Sequence, residues 1–173
     1  GIVITATDAT PKTGADTIDI TALSDIYVAI TGNDSSAGTS GEPKLTIQAA
    51  VNAVATEGTV NVAAGTYAET VTIDKKLTLQ DWGVGPQIIN PAQNNNGIVL
   101  TANADNSTIK GLKITTSNNS GVANLAINLS DANDVTIDSV TIETSGDTSM
   151  GIWLCGTSDG CAAGITGLTV VKS

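Results

Sequence analysis

The sequence predicts an all-β chain folded as a parallel β-helix, and a recurring motif is the first reason. The motif occupies residues 109–114, 137–142 and 165–170, and successive copies lie 28 residues apart. Within each copy apolar residues alternate with polar or small ones, as on a strand that buries one face. A period that contains strands but no helical pattern indicates the coils of a solenoid, each stacked on the one before.

A second motif and the composition favour the same fold. Residues 97–100, 126–129 and 151–154 form another alternating set between the copies of the first. Hydrophobic residues make up 40% of the chain, yet it has no Phe, an aromatic share of 2% and 18 Gly. Such a chain fills a narrow interior with aliphatic side chains and has the residues for tight corners. We expect about four coils, with the 28-residue spacing in the last three.

Residues 1–25 are predicted to form an N-terminal extension, and residues 26–173 the β-helix domain. The extension contains two short alternating segments, each of which is typical of a strand that needs a partner. The apolar residues of these candidate donor strands, and therefore candidate assembly residues, are Ile2, Ile4, Ile18 and Ile20.

A short amphipathic helix is predicted near residues 45–55. Ile47, Ala50, Val51 and Val54 recur at helical spacing and share one face. We expect this helix to cover the open end of the first coil as an N-terminal cap.

The stretch from Tyr27 to Trp82 carries a more specific pattern. Its residues are Tyr27-Val28, Gly32-Asn33-Asp34, Gly38-Thr39, Pro43, Thr46-Ile47-Gln48-Ala49-Ala50-Val51, Gly58-Thr59-Val60, Val62, Gly65-Thr66-Tyr67, Glu69, Val71, Ile73, Lys76 and Leu77-Thr78-Leu79. This pattern resembles the N-terminal portion of right-handed β-helix proteins of the pectin-lyase-like superfamily. The resemblance implies a right-handed coil, a secreted or surface setting and, in some members, polysaccharide processing. Other proteins of this fold are adhesins or surface repeats.

Catalysis is not predicted. The superfamily's lyases use an Arg base with acidic Ca²⁺ ligands, and its esterases use Asp with Arg, but this chain has no Arg and no His. A hydrolase needs two carboxylates about 5 to 9 Å apart. The candidates for such a pair are Asp131, Asp134, Asp138, Glu143 and Asp147. Because Asp134 and Asp138 flank a predicted strand, we interpret them as turn residues and predict no enzyme.

No cofactor is predicted, with Ca²⁺ as the alternative. Residues 131–134 supply oxygen ligands at close spacing, which Ca²⁺ prefers, but turn chemistry explains the same residues.

Charge excludes two classes of partner. The chain has 17 acidic residues against 7 basic ones, all lysines, for a net charge of −10. It cannot assemble the basic stripe that nucleic acids require, and an anionic membrane surface repels it. No apolar run approaches the roughly 18 residues of a membrane span, so no membrane insertion is expected.

The predicted location is secreted, either extracellular or at the cell surface. The chain begins at Gly1 rather than Met, which predicts that a leader was removed. Cys155 and Cys161 bracket a five-residue turn and are expected to form a disulfide, since a metal site would need further Cys or His ligands.

Trp153 is the candidate ligand or partner contact. It lies between Ile152 and Leu154, so its ring points outward if those two point inward. There it would stack on a polysaccharide or contact a neighbouring chain, unless a loop covers it. Trp82, at the end of the first coil, is interpreted as a cap or corner residue. Steps of one repeat from positions 113 and 115 give no threonine ladder, so ice binding is not predicted.

The leading functional hypothesis is an extracellular structural protein, the subunit of a head-to-tail homopolymeric filament or surface assembly. The last core strand, around Val170, offers an open edge, and residues 1–25 offer spare strands. Joining the two by β-strand addition gives a heterologous interface, which generates a filament when it does not close. The alternative is a monomeric carbohydrate-binding module, or an inactive relative of polysaccharide lyases and hydrolases, with the N-terminal strands folded back on their own solenoid.

Overall fold

The computed structural model describes residues 22–119, 121, 123–130, 132–154 and 167–171 as a stack of parallel strands. The strands are β1 (Asp25–Val28), β2 (Thr59–Tyr67), β3 (Val71–Ile73), β4 (Thr78–Ile89), β5 (Ile98–Leu100), β6 (Thr108–Lys110), β7 (Lys113–Ser117), β8 (Asn124–Leu129), β9 (Thr136–Asp138), β10 (Thr141–Ser145), β11 (Ser149–Leu154) and β12 (Thr169–Val171). The helix α1 is Ile47–Ala53, and a short 3₁₀ turn is Ala102–Ala104.

The strands form three faces around one interior. The first face contains β1, the start of β2, the start of β4, β6, β9 and β12. The second contains the ends of β2 and β4 with β7 and β10, and the third contains β3, β5, β8 and β11. Every described strand pair is parallel, so the predicted all-β parallel β-helix is confirmed.

The core is a set of aliphatic columns that run along the stack. On the first face Val60, Leu79, Ile109 and Ile137 pair in register, and each is at most 2% exposed. Burial of one such side chain contributes about 1.5–3 kcal/mol. The columns therefore hold successive coils together.

The 28-residue spacing holds for one step and fails at the next. Ile109 pairs with Ile137, and Ile114 pairs with Ile142, as predicted. Val170, however, pairs with Ile137, 33 residues before it, and not with Ile142. The prediction for the third copy is wrong because both Ile137 and Ile142 are core positions of the motif, so alternation alone does not distinguish the two registers.

Corner residues repeat with the coil. Asn106 and Asp134 have φ angles of 60° and 53°, and Gly111 and Ser139 have φ angles of 70° and 53°. The members of each pair lie 28 residues apart, so each coil turns the same corners in the left-handed conformation. Gly and Asn adopt this conformation most readily.

The predicted cap helix is confirmed, although it is shorter than expected. Ile47, Ala50 and Val51 of α1 are buried, and so is Val54 immediately after it. Among the described residues no helix is long and apolar enough to cross a membrane.

Candidate functional site

The N-terminal edge of the first face is already paired. The Tyr27 N–H donates to the Gly38 carbonyl (2.8 Å), and the Lys44 N–H donates to the Tyr27 carbonyl (2.8 Å). The Ala29 N–H donates to the Lys44 carbonyl (3.0 Å). Residues 38–44 thus take the hydrogen-bonding groups of β1 that a further strand would need.

One side chain covers the corresponding edge of the third face. The Thr72 N–H of β3 donates to the Gln48 Oε1 (2.7 Å), and the Gln48 Nε2 donates to the Thr72 carbonyl (3.1 Å). A side-chain amide has the same donor and acceptor as a peptide group. Gln48 therefore stands in for a neighbouring strand, and α1 closes the stack.

The residues before α1 are held by Asp34. Its Oδ1 accepts from the N–H groups of Leu45 (2.9 Å) and Thr46 (2.8 Å), and its Oδ2 accepts from the Thr46 hydroxyl (3.0 Å). Thr46 is the N-cap of α1 and accepts from the Ala49 N–H (3.2 Å). Asp34 thus fixes the backbone before the helix, and Thr46 accepts from an N–H group of its first turn.

Glu69 binds the first turn of α1. Its carboxylate accepts from the N–H groups of Ile47 (2.8 Å) and Gln48 (2.9 Å). Burial raises the pKa of Glu69, and the nearby negative charge of Asp34 also raises it, while the two hydrogen bonds oppose them. Since the pKa is raised in the native state, the native protein holds this proton more tightly than the unfolded chain does.

The substitution Glu69→Gln tests this coupling. Between the usual Glu pKa and the raised native value the folded state binds more protons, so this group's contribution to stability falls as pH rises. The free energy of unfolding of the unmodified chain, relative to that of E69Q, should therefore decline from pH 4 to pH 7. Urea unfolding at several pH values measures it. The control is Glu42→Gln at an exposed position, and a wild-type curve parallel to that of E69Q would contradict the prediction.

The C-terminal end of the described stack differs sharply from the N-terminal end. Val170 pairs with Ile137, yet Val170 is 62% exposed and Ile137 is 2% exposed. Leu154 pairs with Leu129, yet Leu154 is 46% exposed and Leu129 is fully buried. These side chains continue the core columns, and among the described residues no further coil lies over them. The described stack therefore has one closed end and one open end.

The outward side of the first face carries a threonine ladder, at positions other than the steps from residues 113 and 115. One Thr from each of five coils stands in register, half-buried in four coils and exposed in the last. The ladder consists of Thr59, Thr78, Thr108, Thr136 and Thr169. The adjacent column includes the paired charges of Lys110 and Asp138 (3.7 Å), so this face is not the flat hydroxyl array that ice binding requires.

The two tryptophans have different surroundings. Trp153 pairs with Asn128 on the third face and is half-buried. Trp82 lies within β4, opposite Ala63, where the strand leaves the first face for the second, and its ring contacts Tyr27 edge-on, with centroids 4.9 Å apart and planes at 71°. The ring thus joins the third coil to the first.

Of the candidate carboxylates that the structure describes, Asp134, Glu143 and Asp147 are exposed and Asp138 is half-buried. Asp138 lies 3.7 Å from the Lys110 Nζ, and Glu143 lies 2.8 Å from the Lys113 Nζ. Asp134 occupies a left-handed corner. Within the part of the chain that the structure describes, no three acidic, His or Cys side chains come together as metal ligands.

Several predicted residues lie outside the described part of the chain. They are the strand residues Ile2, Ile4, Ile18 and Ile20, the cysteines Cys155 and Cys161, and Asp131.

One family model matches the chain. The model is described as "Protein of unknown function (DUF1565)" and matches residues 30–81. This family is associated with right-handed β-helix proteins. The comparisons with curated proteins and with solved structures gave no match. The matched residues include α1, β2, β3 and the start of β4, so the chain is similar to this family over its cap and first coils.

Proposed function

We propose that this protein is an extracellular structural protein whose copies join head to tail by β-strand addition. The observation that carries the proposal is the open end formed by Val170 and Leu154, at 62% and 46% exposure in columns that are otherwise buried. An exposed parallel edge with apolar side chains is a template for a further strand. A second copy supplies that strand through residues 1–21.

The closed N-terminal end supports donation to another copy. Residues 38–44 occupy the outer edge of β1, and Gln48 occupies the outer edge of β3. The predicted strands in residues 1–21 therefore find these two edges of their own stack already paired. The open end of a neighbouring copy offers the exposed Val170 and Leu154 as apolar contacts for Ile2, Ile4, Ile18 and Ile20.

Repetition of this contact gives a polymer. The donor and the acceptor are different surfaces, so the interface is heterologous and extends as a filament unless its rotation closes a ring. The proposal includes secretion, a Cys155–Cys161 disulfide suited to an oxidising compartment, and membership of the pectin-lyase-like superfamily. The match over residues 30–81 coincides with the stretch that resembles that superfamily.

Deletion of residues 1–21 should abolish assembly and leave the β-helix folded. Residues 22–25 stay, because the carbonyl of Leu23 accepts from the Ala55 N–H and that of Ser24 from the Thr59 N–H. Light scattering and negative-stain electron microscopy measure assembly, and circular dichroism checks the fold. Polymers of the truncated chain, or an intact chain that stays monomeric at high concentration, would refute donor-strand addition.

A matched pair of substitutions distinguishes assembly through the open end of the stack from assembly through its sides. Val170→Lys places a charge at the open end and should also prevent assembly, and Val84→Lys, at a residue 98% exposed on the side, should not. Both sites are exposed, so neither change creates a buried charge. Equal assembly of the two variants would contradict the role of the open end.

The competing function, polysaccharide binding at Trp153, has less support. The ring is half-buried and its register neighbour is Asn128. Polysaccharide binding at Trp153 stays a prediction. Trp153→Ala should leave assembly unchanged, whether or not Trp153 binds a polysaccharide.

A further inference from the structure

The chain places half of its few aromatic rings on the outer surface of the first coils. It contains two Trp, two Tyr and no Phe. Tyr67 is buried at 4% exposure, but Tyr27 is half-buried and Trp82 is 39% exposed. The aliphatic columns fill the interior without Tyr27 or Trp82. These two rings therefore have no role in the core, and their contact with each other is on the outside.

The two rings meet above β2. Tyr27 lies on β1 and Trp82 on β4, and β2 separates these strands. Asn61 faces outward from β2 between them and is only 6% exposed, and its Oδ1 accepts from the Gln80 Nε2 (2.9 Å). The edge-on contact orients the two rings relative to each other. The result is an aromatic surface on the outside of the first three coils.

A groove runs beside Trp82. It has a volume of about 380 Å³ and is lined by residues 29–31, Ala63, Ala64 and residues 82–84. Three more residues separate Trp82 from Gln87 in β4 than separate Ala63 from Gly65 in β2, so the strand bulges outward here. Val84, at the tip of this bulge, is 98% exposed and forms one wall of the groove.

The chemistry of this groove selects its ligand. All of its lining residues are uncharged, and the chain carries a net charge of −10, so an acidic polymer would be repelled. An exposed Trp ring stacks on the apolar face of a sugar ring, and the Thr31 hydroxyl of the lining can bond a neutral sugar hydroxyl. We infer that the groove beside Tyr27 and Trp82 binds a neutral polysaccharide. This site lies on the side of the stack and does not depend on the proposed assembly.

Trp82→Ala is the direct test. Binding is measured by affinity electrophoresis and calorimetry with soluble β-glucan, xylan and mannan, and with polygalacturonate as the acidic comparison. We expect at least one neutral glycan to bind, W82A to bind it about tenfold or more weakly, and polygalacturonate not to bind. The comparison variant is Trp153→Ala, which removes the other Trp. It should bind as the unmodified chain does if the groove is the site, and loss of binding in this variant alone would overturn the inference in favour of Trp153.

Fluorescence keeps the test valid if W82A unfolds. In the variant Trp153→Phe the single remaining Trp is Trp82, so the bound glycan should shift or quench its emission. In Trp82→Phe the remaining Trp153 should not respond. The inference fails if no neutral glycan binds, if polygalacturonate binds as well as the neutral glycans, or if Trp153 responds and Trp82 does not.

Discussion

Replacement of Ile109 by Ala is expected to lower the free energy of unfolding by about 2–5 kcal/mol. Ile109 is fully buried in the fourth coil, where it packs in register between Leu79 and Ile137. Strands on both sides hold the backbone in place, so the column collapses little and a cavity is left. Urea unfolding followed by far-ultraviolet circular dichroism measures the loss.

The matched control for this change is Val99→Ala. Val99 lies on the third face between two buried core residues of β5, so it points outward and is half-buried. Its loss should cost less than about 1 kcal/mol. A cost for I109A no greater than that for V99A would mean that the column tolerates a missing side chain, and the core described above would then be wrong.

Replacement of Gly97 by Ala should destabilise the chain by about 1–3 kcal/mol through overpacking. A Cβ at this position would lie 2.5 Å from the Ile114 Cγ2 and 2.6 Å from the Ala126 carbonyl oxygen. The Ala126 carbonyl belongs to the next coil. The Gly97 N–H also donates to that coil, at the Leu125 carbonyl (2.9 Å). To fit the methyl group, the two coils must separate where they are hydrogen-bonded.

The control for this prediction is Gly41→Ala. Nothing lies within 4 Å of the Cβ that Gly41 would acquire, and its backbone is not left-handed. The substitution is expected to be neutral or to stabilise by about 0.4–1 kcal/mol, because it restricts the unfolded chain. Thermal melting of the two variants side by side separates the cases, and equal melting temperatures would contradict the close approach at Gly97.

The fold could be predicted from the sequence because its period and its alternation are local properties. The motifs at residues 97–100 and 126–129 occupy the same positions in successive coils, as Ile98 pairs with Ile127. The last register could not be predicted in this way. The segment between β11 and β12 is longer than the corresponding segments before it, and Val170 fits either of two apolar positions in the motif.

The candidate sites were less accessible to sequence reasoning, because they depend on contacts between coils. Asp34, Gln48 and Glu69 were recognised as residues that carry a resemblance, but their roles appear only once α1 lies against β3. Tyr27 and Trp82 are distant in sequence, and their contact requires the register of three strands. The steps from positions 113 and 115 do not reveal the threonine ladder, because both positions lie on the second face.

The hydrogen bonds of α1 bear on the order in which the chain becomes structured. A helix of 7 residues is well below the roughly 12–15 that an isolated helix needs in water. The acceptor for its first N–H groups is Glu69, and the donor to its last carbonyls is Lys75, whose Nζ lies 2.9 Å from the Val54 carbonyl. Both come from the coil that follows. We therefore expect the cap and this coil to form and to open together, as a single cooperative folding unit.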